Sequence, residues 1–215
     1  MISFAMKLPR LYPILDTGVL SGRNLSPIAV AGALLAGGAR ILQFRHKGHF
    51  SRSVFEQAET VAELCRSAGA AYVVDDRADM ALLLDAGLHV GQDDLSPRDA
   101  RRVIGPNRWL GFSTHNEAQL RAAAAEPADY VALGPVFSTA SKEKPDPVIG
   151  VEELRRLRGL EKRPLVAIGG ITRENALAVL DAGADSVAVI GDLIPAECTI
   201  ESIRARMEQW QSLVK

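Results

Sequence analysis

Eight short apolar runs, each followed by a helix-like segment, predict a single (β/α)₈ barrel domain over residues 1–215. Three observations carry this reading. The alternation keeps a regular beat, the helix-like segments open on capping residues or stop at glycine, and polar clusters gather where the strand-like runs end. A doubly wound open sheet alternates in the same way, but its Gly-x-Gly-x-x-Gly fingerprint is absent, and Gly169-Gly170-Ile171-Thr172 lacks the spacing.

Tyr12 to Asp16 is the first strand, and Ser26-Pro27 opens a helix, with Ser as cap and Pro in the first turn, that runs to Gly37-Gly38. The second strand is Arg40 to Arg45. The helix Ser51 to Ala68 follows, with Phe55, Ala58, Val61, Ala62 and Cys65 forming a stripe at helical spacing, and Gly69 ends it. Ala71 to Asp76 and the helix Ala78 to Ala86 come third. Leu88 to Gln92 and a helix opened by Ser96-Pro97 come fourth. The fifth strand, Trp109 to Ser113, leads to a helix near Asn116, and Tyr130 to Gly134 is the sixth. A proline-containing loop, Pro135 to Ile149, then interrupts the pattern, and loops of that length in compact domains are usually functional or disordered. We expect this loop to be mobile without ligand. Glu152 to Leu160 (helix), Leu165 to Ile168 (strand), Thr172 to Ala182 (helix), Ser186 to Ile190 (strand) and Ile200 to Leu213 (helix) complete eight strands and eight helices.

Composition narrows the function classes. The 215 residues are 47% hydrophobic with a net charge of −1, and no run of Lys or Arg marks a nucleic-acid or membrane surface. The longest apolar segment, Ile28 to Ala39, is well short of the ~20 residues that span a bilayer. Lys7 and Arg10 follow the first apolar residues, the reverse of a signal peptide. Cys65 and Cys198 have no metal-like spacing and read as buried thiols of a reducing, cytoplasmic compartment.

In a barrel the strand carboxyl ends carry the chemistry. Gln43-Phe44-Arg45-His46-Lys47 alternates as a strand does, so an amide and two cations share one face, suited to an anionic ligand attached to a planar polar ring. The other ends supply Asp75-Asp76, then His89, Gln92, Asp93 and Asp94, then Ser113, Thr114 and His115. Paired acids at two ends and cations at a third are what a Mg²⁺ ion and a phosphorylated ligand need. The plainer reading of Asp75 and Asp76, and of Asp93 and Asp94, is helix capping. Gly169-Gly170 and Gly191, after the last two strands, suit a second anion site at helix N-termini. Thr139, Ser141 and Lys142 on the long loop would lie between the two.

These motifs, in the order Gln43 to Lys47, Asp75 to Asp79, His89 to Asp94, Gly111 to His115, Gly134 to Lys142 and Ala167 to Ile171, resemble the thiamine-phosphate synthase family from Tyr12 to about Ile194. That family joins a pyrimidine methyl pyrophosphate to a thiazole phosphate. The resemblance implies that Gln43 and His89 hold the aminopyrimidine, while Arg45, Lys47, Ser113 and Lys142 bind its pyrophosphate. It makes Asp76 and Asp94 the Mg²⁺ ligands. Thr139, Gly170, Ile190 and Gly191 would hold the thiazole phosphate, with Ser141 and Tyr12 nearby. It also implies a dissociative reaction, in which pyrophosphate leaves a stabilised pyrimidine cation that the thiazole nitrogen captures.

Three positions depart from the family pattern. Asp75 stands where Asn is usual, either as a further metal ligand or as a charge that weakens substrate binding. The segment between Asp76 and His89 is one residue short, which bears on where Asp94 points, and Gly191 replaces a usual Ser. The expected partners are small phosphorylated substrates, with a homodimer as the candidate assembly and neither nucleic acid nor membrane. Two other readings remain: a thiazole tautomerase of the same barrel shape, with His115 moving the proton, and a non-catalytic sensor of phosphorylated ligands.

Overall fold

A computed structural model describes residues 8–139 and 146–215. Its strands are β1 (Leu11–Asp16), β2 (Ile41–Arg45), β3 (Ala71–Asp75), β4 (Gly87–Val90), β5 (Leu110–Thr114), β6 (Tyr130–Leu133), β7 (Leu165–Ile168) and β8 (Ser186–Val189). All pair in parallel with their sequence neighbours, and β8 pairs back to β1 through Leu11 and Val187, which closes the barrel. The expected (β/α)₈ barrel is the observed one. The alternation of side chains within each strand sorts two cores. Tyr12, Ile14, Ile41, Val73, Tyr130, Ala132, Val166 and Ala188 fill the lumen. The intervening residues, such as Leu11, Leu15, Leu42, Phe44 and Val74, pack outward against the helices.

The helices are α1 (Thr17–Ser21), α2 (Pro27–Ala36), α3 (Arg52–Ser67), α4 (Ala78–Leu83), α5 (Pro97–Ile104), α6 (Glu117–Ala123), α7 (Gly150–Arg158), α8 (Ala176–Asp181) and α9 (Ile200–Leu213). Among the described residues there are thus nine α-helices rather than the expected eight. The addition, α1, is too short for a periodic stripe, and it forms because the Asp16 side chain accepts the Val19 N–H. A 3₁₀ turn over Gly191–Leu193, also unexpected, follows β8. Ser26, Ser51, Ser96 and Asn116 cap α2, α3, α5 and α6 as their sequence positions suggest. Both cysteines are free; Cys65 is buried, whereas Cys198 is only half-buried, contrary to expectation. No helix among the described residues is long and apolar enough to cross a membrane.

Candidate active site

The carboxyl ends of the strands surround a cavity of about 670 Å³. Gln43, Arg45, Lys47, Asp75, Asp76, His89, Asp94, Ser113, Thr139, Gly170, Ile190 and Gly191 all line it. Ser141 and Lys142 lie outside the described residues. The alternation read at the end of β2 holds: Gln43 and Arg45 face inward, and Phe44 packs outward. His46 turns away as well, its Nδ1 2.7 Å from Thr17 Oγ1 and its ring edge-on to Phe50.

The cations are held by acids on neighbouring strands. Arg45 donates to Asp16 and lies 3.5 Å from Asp75, while Lys47 pairs with Asp76 and sits 3.2 Å from Asp75. Burial pulls the Lys47 pKa down more than any other single effect, but the charges and contacts of Asp75 and Asp76 together outweigh it and raise the value. Asp75 Oδ2 is buried without a hydrogen bond. Asp75 therefore serves as a counter-ion wedged under both cations.

Asp76 has a left-handed backbone, with φ of 62°, which is uncommon for a non-glycine residue. Its carboxyl meets that of Asp94, so the short segment before His89 does not turn Asp94 away. Burial, then the Asp75 charge, push Asp76 up to about 7; Lys47 opposes them and the Asp94 contact adds to them. Neither aspartate at the end of β3 caps a helix, since α4 starts at Ala78 with Arg77 in the cap position and no side-chain cap. Nor does Asp94 cap α5: it accepts the Gly91 N–H at 2.8 Å, and Ser96 does the capping. The capping readings thus fail because the chain turns before each helix begins. Two facing carboxylates suit Mg²⁺, which takes one or two from protein and completes its shell with water and phosphate oxygens. Among the described residues no group of three or more His, Cys, Asp or Glu side chains is arranged to hold a metal, so a cation fully caged by protein does not fit.

On β4 and β5, His89 is buried, and its Nε2 lies 2.8 Å from Ser113 Oγ. Burial lowers its pKa, against the pull of Asp75, so the imidazole is neutral. Gln92 donates to the Ser113 carbonyl at 2.5 Å. His115 Nδ1 donates to the Gly134 carbonyl at 2.7 Å, and its Nε2 lies 3.6 Å from Asp146. Across the barrel, Gly169 and Gly170 take φ of 101° and 61°. A side chain on Gly170 would strike the Ser138 carbonyl and Phe137, whereas one on Gly191 would meet open space.

The sequence reading missed Tyr130, Asp16 and Asp146. Tyr130 begins an apolar run and looks like core. Asp16 ends a strand, so the rule used for the other strand ends would have found it.

The family model described as thiamine monophosphate synthase matches residues 11–193. The chain belongs to the thiamine monophosphate synthase family. The family expected from the motifs is therefore the observed one, and with it come the transferase class and a place in thiamine biosynthesis. A thiamine-phosphate synthase of Koribacter versatilis is 48% identical over 194 residues, which cover 88% of this chain and 90% of that one. One from Chloroflexus aurantiacus is 41% identical over 206 residues, covering 95% and 92%. The solved thiamine phosphate pyrophosphorylase of Pyrococcus furiosus superposes with a TM-score of 0.82 at 33% identity, covering 95% of each chain.

Proposed function

We propose that this chain condenses 4-amino-2-methyl-5-hydroxymethylpyrimidine pyrophosphate with a thiazole phosphate, giving thiamine phosphate and inorganic pyrophosphate in a cytoplasmic biosynthetic step. The observation that carries the reading is the division of the cavity: side-chain cations over paired acids line one wall, and glycine backbone lines the other. Gln43 and His89, beside the cations, read the aminopyrimidine. Arg45, Lys47 and Ser113 hold its pyrophosphate, and Lys142 joins them and Ser141 lies nearby on the strength of the family motif. Thr139, Gly170, Ile190 and Gly191 hold the thiazole phosphate.

Asp76 and Asp94 are the residues that would hold Mg²⁺, which when bound favours negative charge gathering on the departing pyrophosphate. The chain's own part is positioning. Arg45 and Lys47 are held by their acid partners, which limits how far they would reorganise as the leaving group departs. Holding both substrates side by side in one cavity keeps the thiazole nitrogen next to the cationic carbon. No side chain need accept a proton for the bond-forming step, because the nitrogen attacks with its own lone pair.

The decisive experiment supplies both substrates with and without Mg²⁺. Thiamine phosphate formed only with the cation supports the reading. Isomerisation of a carboxythiazole phosphate without pyrophosphate or metal would replace it with the tautomerase, and binding without turnover would replace it with a sensor.

A further inference from the structure

A line of hydrogen bonds crosses the barrel floor. Gln43 Nε2 donates to the Tyr12 hydroxyl at 3.2 Å, which lies 2.8 Å from the Tyr130 hydroxyl. That hydroxyl is 3.1 Å from His89 Nδ1, and His89 Nε2 is 2.8 Å from Ser113 Oγ. The line joins β2, β1, β6, β4 and β5, and Tyr12 and Tyr130 are buried. Tyr130 also stacks on the His89 ring, with centroids 5.6 Å apart. The inward position next to it on β5 is Gly111, where a Cβ would overlap the Tyr130 ring and His89 Nδ1. The lumen is thus kept clear for this contact.

Protons can run either way along this line, and in one direction Ser113 keeps its own. In that direction Tyr12 accepts from the Gln43 amide and has one proton of its own, which goes to the Tyr130 oxygen. Tyr130 then gives its proton to Nδ1, so His89 carries hydrogen on Nε2 and donates to Ser113. The reverse direction would make Ser113 spend its proton on His89 and turn only lone pairs toward an anion. We propose that Tyr130, backed by Tyr12, is a positioning residue that fixes His89 as the Nε2–H tautomer and thereby leaves the Ser113 hydroxyl proton free for an anionic ligand oxygen. The inference rests on the reading of Ser113 as a pyrophosphate ligand.

Nitrogen-15 spectra of histidine-labelled, substrate-free protein should show His89 protonated at Nε2 and bare at Nδ1. In Tyr130→Phe, Nδ1 loses its donor, and the signal should become that of mixed tautomers. Binding of inorganic pyrophosphate with Mg²⁺ should then weaken by the inverse of the fraction that keeps hydrogen on Nε2, about twofold for an even mixture. In a Ser113→Ala background the same change should leave pyrophosphate binding unaltered, because the two residues act through one contact. Tyr12→Phe keeps the Tyr130–His89 contact but removes the donor behind it. It should give a smaller shift of the same kind, and it carries the test if Tyr130→Phe does not fold. His89 holding the wild-type tautomer in the variants, or losses that add in the double variant, would overturn the proposal. Because the tautomer is read without substrates, wild-type protein lacking synthase turnover would overturn the proposed function and leave the tautomer result intact.

Discussion

Asp76 shows how one residue couples backbone strain, charge and cation affinity. Its carboxyl, raised from 3.8 to about 7, must lose a proton before it can bind a cation. Mg²⁺ affinity should therefore climb as pH rises to about 7 and level off above; titration calorimetry at about pH 6 should find it roughly tenfold weaker than at about pH 8. The same shift has a stability consequence. The folded state holds this proton more tightly than the unfolded state, so cation-free protein should lose stability as pH rises from about 4 to about 7, seen as a falling urea midpoint. Asp94→Asn should raise the Mg²⁺ needed for turnover and lower the rate at saturation, and an unchanged Mg²⁺ dependence would remove Asp94 from the ligand set. Asp75→Asn should act in the opposite sense. It removes a carboxylate from beneath Arg45 and Lys47, so pyrophosphate binding should tighten by about 1 kcal/mol, near fivefold, and the Mg²⁺ midpoint should move to lower pH. These residues were legible because each is polar at a strand end, where an apolar residue is the rule. Tyr130 was not, since an aromatic ring in a lumen reads as packing until its hydroxyl is seen to have partners.

At the scale of elements, the ends of β7 and β8 make different demands on their glycines. Gly170 has positive φ and no room for a methyl group, so Gly170→Ala should cost about 1–3 kcal/mol of stability and weaken thiazole phosphate binding. Gly191 faces open space, so Gly191→Ser should stay within about 0.5 kcal/mol of wild type in a denaturant series. The site at 191 thus has room for the Ser expected from the family pattern. The long loop has a firm base: Val136 and Phe137 donate to the end of β7, and Ile149 and Gly150 donate back to Pro135 and Val136. The sequence located all eight strands to within about two residues, because buried parallel strands are mostly apolar, without polar interruption in β3, β6, β7 and β8, and helix caps and glycines bound them. Helix boundaries were harder. α8 begins at Ala176 rather than Thr172, since Asn175 Oδ1 accepts the Thr172 N–H and holds the intervening residues in a turn.

At the scale of the whole molecule, β8 closes the barrel on β1 and α9 packs against α2. Trp210 and Met207 are fully buried there, and Gly37 lies so close to Met207 that a side chain would collide with it. Trp210→Ala should cost about 3–5 kcal/mol in urea unfolding. Trp210→Phe should cost about 1 kcal/mol, because it also removes an indole N–H that is buried without a partner. The closed barrel was readable from the eightfold beat, but the size and lining of its cavity were not, since they depend on how far side chains from distant strands reach across the lumen. The two walls of that cavity also differ in how they can change over generations. Single-codon changes at Gln43 or His89 replace a group that would face the ring, so this wall can drift toward other ring systems one residue at a time. The main chain at Gly170 and Gly191 offers fewer such handles, because only proline deletes a peptide N–H and Thr139 is the side chain left to vary there. A lineage exploring new substrates would therefore vary the heterocycle more readily than its preference for a phosphorylated second substrate.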